Sequence, residues 1–383
     1  MARHKRPLAG GRLRIGPCAI HQTEDAALAL APKMSGMKIA RSVAALRALC
    51  GLSLHAEVLV PAMLEAQHSV VPSHRNLFDW TDHQGRLVRY FIEGPIDARL
   101  AQLYFDEFHN RREAEAMPRF DALHRMPAGV RGAGELDHAV FYRSDLYNAI
   151  WRPQGFKTRL EAVLRGRSGE LLGSLVLYRA PGDARFGVEE ERRLASVLPA
   201  FAAGLQACGP AVAHDHHVAS PDAPESLLLT LLGHVCHASA GAHRLLLMAA
   251  GGASRDTLSR PLNTLTGDLL ALLLSRVRER VELGHAAGLA PPPSVTCETP
   301  AGQFVATGEL LRPTAAGTAP LVQVTLRRLE PHRVALERAL RALPISAGQM
   351  AVCRQLYHGA TQAQIGAQLG VAAGTVVDHV RKI

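Results

Sequence analysis

The C-terminal end of the chain reads GATQAQIGAQLGV at residues 359–371 and TVVDHV at residues 375–380. Thr361 is followed three residues later by Gln364, which is the spacing of a capping box. In a capping box the hydroxyl and the amide side chains satisfy backbone amides that are free at the start of a helix. Gly370 stands where that helix would end, because glycine adopts the left-handed conformation at low cost. The stretch therefore predicts a helix, a tight turn and a second helix.

A further helix is predicted in front of this pair. Ser346 and Gln349 form another capping box, and Gly359 stands where the helix that they begin would end. Two short helices joined at a glycine, with the second presented outward, are typical of helix-turn-helix units. Apolar side chains recur at helical spacing in all three segments, so each helix can bury one face. They are Val352, Cys353 and Leu356, then Ile365 and Leu369, then Val376 and Val380.

The string of residues 359–371, followed by residues 375–380, closely resembles the helix-turn-helix of LuxR-type bacterial transcription regulators. That family has a glycine that ends the first helix, E-I-A-x-x-L-G in the second, and T-V-K-x-H in the recognition helix. The resemblance covers about a tenth of the chain, and its spacing holds without gaps. It implies an incomplete helix-turn-helix domain at residues 345–383 that binds promoter DNA, with two copies reading two half-sites.

Four features depart from the family's pattern. Residues 348–351, Gly-Gln-Met-Ala, replace its usual R-E-x-E in the first helix. Ala372 stands at the N-cap of the third helix, where a serine would contribute about 1 kcal/mol. Val377 replaces the usual lysine. The chain stops at Ile383, before the family's fourth helix, so we expect a truncated unit whose last helix frays.

The resemblance also implies which residues face DNA. Thr361 and Gln362, at the start of the second helix, are expected to hold a backbone phosphate. On the third helix, Thr375 suits a phosphate or a thymine methyl, and Asp378 suits a cytosine amine. Arg381 and Lys382, which come next, can bind a guanine edge or a phosphate. The full set is Thr361, Gln362, Ala373, Gly374, Thr375, Asp378, Arg381 and Lys382.

The charge distribution is compatible with a DNA-binding end. The net charge is +9, and residues 331–383 carry six Lys or Arg against two Asp or Glu, whereas residues 37–330 are close to neutral. A basic end attracts polyanions through the release of condensed counterions. A solvated basic surface has the same composition, so charge alone does not decide between the two.

The rest of the chain is predicted to form two α+β sensor domains, because helical periodicity alternates with strand-like alternation. The layout of the first resembles a GAF domain and that of the second a PAS domain. A segment from Ser226 to Ala238 is predicted to be helical. The expected divisions are a disordered or mis-annotated tail at 1–36, the GAF-like domain at 37–208, a linker at 209–225, the PAS-like domain at 226–330 and a connector helix at 331–344.

Two side-chain clusters upstream have alternative interpretations. Tyr142, Tyr147, Trp151 and Phe156 are candidates for the lining of a small-molecule pocket, although aromatic residues at such spacing also form ordinary cores. His234 and His237 would lie one turn apart on the predicted helix, which suits either a shared ligand or a surface with histidines. We predict no metal site there.

Several classes of protein are not indicated. The phosphate-binding, nucleophile-elbow, zinc-protease and dinucleotide motifs are absent, so we predict neither an enzyme nor a cofactor. The six cysteines are scattered without a C-x-x-C pair, which is compatible with a reducing cytoplasm. No apolar run reaches about 18 residues, so no membrane span is expected. Two alternatives remain: a sensory or interaction protein without DNA binding, and an enzyme with an unrecognised site.

Overall fold

The computed structural model describes residues 36–207, 216–265, 268–282, 291–314 and 319–383. The predicted tail therefore lies outside the described residues, except for its last position. The described chain is a mixture of helices and two antiparallel sheets. No helix in it is long and apolar enough to cross a membrane.

The first region forms a five-stranded sheet with helices on both faces. Its strands stand in the order β2-β1-β5-β4-β3, and all neighbours are antiparallel. One-turn π-helices at Tyr104–Phe108 and Tyr147–Trp151 and short 3-10 segments accompany the α-helices. The elements are α1 (Gly36–Cys50), α2 (Ala56–Gln67), β1 (Arg75–Thr81), β2 (Leu87–Ile92), α3 (Ala98–Leu103), β3 (Gly129–Arg131), α4 (Ala133–Leu136), α5 (Ala139–Arg143), β4 (Thr158–Arg165), β5 (Leu171–Arg179) and α6 (Val188–Gln206).

A hairpin joins β1 to β2, and its turn has a simple local cause. The Asp82 carboxylate accepts hydrogen bonds from the backbone amides of Gln84 and Arg86, each at 2.9 Å. Gly85 adopts a positive φ of 79°, which a residue with a side chain rarely does. The turn sets the register in which Phe78 of β1 pairs with Phe91 of β2.

Side chains on the strands of this sheet alternate between two faces, as the pleat requires. On β4, Leu160, Ala162 and Leu164 face a core that also contains buried residues of α1, α2 and α6. Arg159 and Glu161 stand on the opposite face, which the chain between β2 and β4 covers. The sheet is therefore the middle of three layers, and charged residues of β4 lie inside the molecule.

The second region forms a six-stranded sheet in the order β8-β7-β11-β10-β9, with β6 paired to β11. If β6 is left out of the count, both sheets place their five strands in the same order: the second strand in the chain, then the first, fifth, fourth and third. The elements are β6 (His217–Ala219), β7 (Glu225–Thr230), β8 (Val235–Ala238), α7 (Ala242–Ala249), α8 (Arg255–Ser259), α9 (Asp268–Glu282), β9 (Ser294–Thr299), β10 (Gly302–Leu311) and β11 (Leu321–Pro331).

Two expectations for this region were wrong. The segment from Ser226 to Ala238 is the β7–β8 hairpin and not a helix, because the apolar residues of β7, Leu227 and Leu229, alternate and are buried on one face. The predicted linker at 209–225 contains β6, whose Val218 pairs with Glu330 of β11. The second region therefore begins earlier than predicted. Three strands, β9, β10 and β11, follow Pro293.

Four helices follow the second sheet. They are α10 (His332–Ala342), α11 (Ala347–Tyr357), α12 (Gln362–Leu369) and α13 (Ala373–Arg381). The first is the predicted connector, and the other three coincide with the helices expected from the capping boxes and glycines. One core cluster joins Ala45 of α1 to Leu340, Ile345 and Met350. The C-terminal helices are therefore packed against the first region.

Candidate DNA-facing helices and a buried charged cavity

The three C-terminal helices are fixed at their ends by the residues that predicted them. Ser346 Oγ accepts a hydrogen bond from the Gln349 amide at 3.2 Å, and Thr361 Oγ1 accepts one from the Gln364 amide at 3.4 Å. In both boxes the backbone amide of the N-cap residue donates a hydrogen bond of 2.8 Å to the Oε1 of the glutamine. Gly370 ends α12 with a left-handed φ of 66°. These contacts satisfy helix-end groups that would otherwise depend on water.

A small core holds these helices together. Val352 of α11, Ile365 of α12 and Val376 of α13 are fully buried against one another. His379 is half-buried beside Gly348, where an added Cβ would lie 3.4 Å from the imidazole. That distance is an ordinary van der Waals contact, so the position would accept a Cβ beside this imidazole.

All eight residues predicted to face DNA are exposed: Thr361, Gln362, Ala373, Gly374, Thr375, Asp378, Arg381 and Lys382. Those on α13 lie on its solvent side, since Val376 occupies the buried side. The N-cap of α13, Ala372, makes no side-chain hydrogen bond, as its lack of a polar group requires. At the other end of α13, Gln349 donates a hydrogen bond to the Lys382 carbonyl at 3.2 Å, so a neighbouring helix supports this end.

The connector helix α10 joins these helices to the sheets through a partly buried ionic network. Arg338 contacts Glu65 of α2 at 2.8 Å and Glu330 of β11 at 2.9 Å. Arg341 reaches Glu65 at 2.5 Å. The pair Arg354–Glu337, at 2.8 Å, attaches α11 to α10. These ion pairs join α10 to α2 and β11, and α11 to α10.

A second candidate site is a cavity of about 140 Å³ on the face of the first sheet that the chain between β2 and β4 covers. Its lining is mainly aromatic and aliphatic, with few charged groups. The rings that contribute are Tyr90, Tyr104, Phe105, Phe120, Trp151, Phe156 and Tyr178. The charged groups are Asp79, Asp97, Arg119, Arg131, Arg159 and Glu161. An apolar pocket with a few convergent polar groups is the usual form of a small-molecule site.

Arg159 is the unusual member of this lining. It is 6% exposed, and its Nε and Nη2 atoms have no hydrogen-bond partner. Its guanidinium lies 4.8 Å from the centre of the Trp151 ring, a cation–π contact. Neighbouring Glu161 is engaged elsewhere, because Arg131 contacts it at 2.5 Å. Burying a cation whose N–H donors have no acceptor costs folding free energy, unless a bound group accepts hydrogen bonds from them.

Asp79 faces the same cavity from β1. Burial raises the pKa of its carboxyl to about 8, and the hydrogen bond that Ser174 donates at 3.0 Å opposes that shift. At neutral pH this carboxyl is therefore mostly protonated and does not neutralise Arg159. The positive charge in the cavity remains available to a bound group.

The aromatic residues proposed from the sequence divide between two places. Trp151 and Phe156 line the cavity, with Phe156 stacked on Tyr178 at 4.3 Å between ring centres. Tyr142 and Tyr147 are outside its lining and pack edge-to-face on each other at 5.1 Å. The charged residues of the cavity were missed because charges at alternate positions of a strand usually mark a solvent face. The signal available was Arg159 and Glu161 two residues apart in an otherwise apolar strand.

The histidine cluster does not have the geometry expected of it. His234 precedes strand β8 and His237 lies on it, so the helical one-turn relation does not exist. Among the residues that the structure describes, no three His, Cys, Asp or Glu side chains converge in a way that suits a metal ion.

No family model and no curated protein matches the sequence. Among solved structures, the chain is similar to one in the crystal structure of the E. coli DhaR(N)-DhaL complex, with 12% sequence identity. The match covers 76% of this chain and 90% of that one, with a TM-score of 0.23. So low a score does not establish a shared fold.

Proposed function

We propose that this chain is a DNA-binding transcription regulator of the LuxR type. The observation that carries the proposal is the α12–α13 pair: two capped helices meet at a left-handed glycine, and the second presents Thr375, Arg381 and Lys382 to solvent. A short helix presented in this way fits the DNA major groove, where its side chains reach base edges and phosphates.

The two sheet regions are proposed to be the sensing part of the regulator. We assign the first as GAF-like and the second as PAS-like, since each has a five-strand antiparallel path with helices packed against it. The cavity beside the first sheet offers a place for a small-molecule signal.

A structural route connects that cavity to the DNA-facing helices. Helix α1 buries Leu46 and Leu49 against the first sheet and Ala45 against α10 and α11. A ligand that binds one arrangement of the first region better than another would shift how α1 presents the connector helix. In a dimer, that shift changes the spacing of the two DNA-binding units and therefore the fit to two half-sites.

The experiment is fluorescence anisotropy of the full chain with labelled DNA from the region upstream of its own gene, in competition with a scrambled duplex. We expect preferential binding to the upstream DNA. The double variant Arg381→Ala/Lys382→Ala should lose most of it, because these cations lie on α13. A matched variant, Arg125→Ala/Arg192→Ala, removes two exposed cations elsewhere and should bind like the unmodified protein.

Two outcomes contradict the proposal. One is the absence of binding at low salt, about 50 mM, where phosphate contacts are strongest. The other is an equal loss in both double variants, which would indicate attraction to total charge and not to α13. Either result favours the alternative function, a sensory protein that acts through protein partners.

A further inference from the structure

The free donors of Arg159 lie on one edge of its guanidinium. Nε and Nη2 are the two nitrogens whose N–H bonds point the same way along the side of the group, and both are buried without a partner. Two parallel N–H bonds match the two oxygens of a carboxylate, which arginine binds in this bidentate way. The free edge therefore has the geometry of a carboxylate receptor.

No protein carboxylate occupies the free edge of Arg159. Glu161 is already paired with Arg131 at 2.5 Å. Asp79 is mostly protonated at neutral pH because burial raises its pKa to about 8. Glu113, which lies near Arg159, accepts hydrogen bonds from the Tyr104 hydroxyl at 2.9 Å and from two backbone amides. None of these carboxyl groups bonds to Nε or Nη2 of Arg159, so a ligand carboxylate can take that place.

The size and lining of the cavity favour a single aromatic ring. Its volume of about 140 Å³ is close to the roughly 150 Å³ of an apolar cavity that holds benzene. Phe156 and Tyr178 stack nearly parallel, with 9° between their rings, and Trp151 stands edge-on to Tyr178. Such ring faces and edges pack well against another ring.

We propose that this cavity binds a small single-ring aromatic carboxylate, with the free edge of Arg159 holding its carboxylate and the aromatic walls holding its ring. The inference names the ligand class of the sensing part, and its regulatory meaning rests on the function proposed above. The binding itself requires no DNA.

The test is isothermal titration calorimetry of the full chain with three probes: benzoate, the uncharged benzyl alcohol, and acetate, which lacks the ring. We expect benzoate to bind at one site per chain. Benzyl alcohol should bind about ten- to a hundred-fold more weakly, as expected for the loss of hydrogen bonds to a charged group. Acetate should also bind more weakly, because it leaves the aromatic walls uncovered.

Variants assign the site. Arg159→Met should abolish the preference for benzoate over benzyl alcohol, whereas Arg167→Met, which removes an exposed cation from the β4–β5 turn, should retain it. Arg159→Lys keeps the positive charge but lacks the two parallel N–H donors of the guanidinium, so it should bind benzoate with intermediate affinity. This second variant keeps the test decisive if Arg159→Met does not fold, which thermal melts monitored by circular dichroism will show.

Three results would overturn the inference: no binding of benzoate at millimolar concentration, equal affinity for benzoate and benzyl alcohol, or full benzoate affinity in both Arg159 variants. The outcome is separate from that of the DNA-binding experiment. A chain that binds benzoate but not DNA keeps this site and loses the proposed regulator function. A chain that binds DNA but not benzoate does the reverse.

Discussion

The two sheets of this protein share the same order of five strands, but the buried arginine in each sheet has different interaction partners. In the second sheet, Arg328 of β11 is 5% exposed, donates a hydrogen bond to the Ala301 carbonyl at 3.0 Å and pairs with Asp222 at 3.2 Å. In the first, Arg159 of β4 is 6% exposed, and two of its nitrogens have no partner. The partners of Arg328 are all supplied by the protein, whereas those of Arg159 are completed by a ligand.

The two sheets also differ in how closely other elements pack against them: the second is tightly covered, and the first has a cavity beside it. Helix α9 lies so close to the second sheet that a Cβ added to Gly308 of β10 would be 2.9 Å from Val277 and 3.3 Å from Leu273. Above the first sheet, single-turn helical segments leave the cavity of about 140 Å³. Close packing around a satisfied charge indicates a structural role, whereas space beside an unsatisfied one indicates binding.

The largest expected effect distinguishes these two arginines. Arg328→Met should lower the free energy of unfolding by about 3 kcal/mol, because it removes one of the two cations beside partly buried Asp222 and the donor to Ala301. Arg159→Met should cost much less, since Nε and Nη2 have no hydrogen bond to lose and only the cation–π contact with Trp151 is removed. Urea denaturation of both variants measures the difference. Equal losses would show that the comparison is wrong.

A second prediction concerns the pH dependence of stability. Burial raises the pKa of Asp79 to about 8 in the folded protein, against 3.8 for the unperturbed group. Between these values the folded state holds a proton that the unfolded state has lost, so stability falls as pH rises. The fall is about 1.4 kcal/mol per pH unit, or about 2.7 kcal/mol from about pH 5 to about pH 7.

The variant Asp79→Asn should remove that contribution and flatten the profile by this amount. The other groups that face Asp79, namely Ser174, Arg159, Glu161 and Glu113, are the same in both proteins, so the difference isolates one carboxyl. Denaturant unfolding at several pH values measures it. Parallel profiles for the two proteins would contradict a raised pKa at this position.

A smaller change in the free energy of unfolding is expected from the ion pairs between the first region and the connector helix α10. Glu65 contacts both Arg338 and Arg341 but is partly exposed, so Glu65→Gln should cost less than about 1 kcal/mol at low salt. The difference should shrink further in molar salt, which screens exposed pairs. Glu282→Gln, at an exposed position of α9, is the control and should change nothing. A larger loss that is insensitive to salt would mean that the pair is effectively buried.

Much of the fold followed from local sequence signals. The capping boxes at Ser346 and Thr361 and the glycine at 370 located the C-terminal helices, because these residues satisfy helix ends through contacts a few residues apart. The β7–β8 hairpin was mistaken for a helix because short apolar runs do not distinguish the two by periodicity. Its hydrogen-bond partners on β11 lie about a hundred residues away.

The cavity was less predictable for a related reason. Trp151 and Phe156 were identified from their aromatic character, but Arg159 and Asp79 were not. A charged residue on a strand gives no local sign of what covers it. That cover is a segment between β2 and β4 built from one-turn helices, whose position depends on contacts with both sheets.

The proposed regulator function is tested most directly by the salt dependence of DNA binding. The logarithm of the binding constant of the full chain, plotted against the logarithm of salt concentration, should fall linearly with a slope that counts phosphate contacts. If Arg381 and Lys382 both contact phosphate, the double variant Arg381→Ala/Lys382→Ala should have a slope shallower by about 1.8, which is about 0.9 for each contact. Identical slopes for the two proteins, or no binding by either, would contradict the assignment of α13 as the DNA-facing helix.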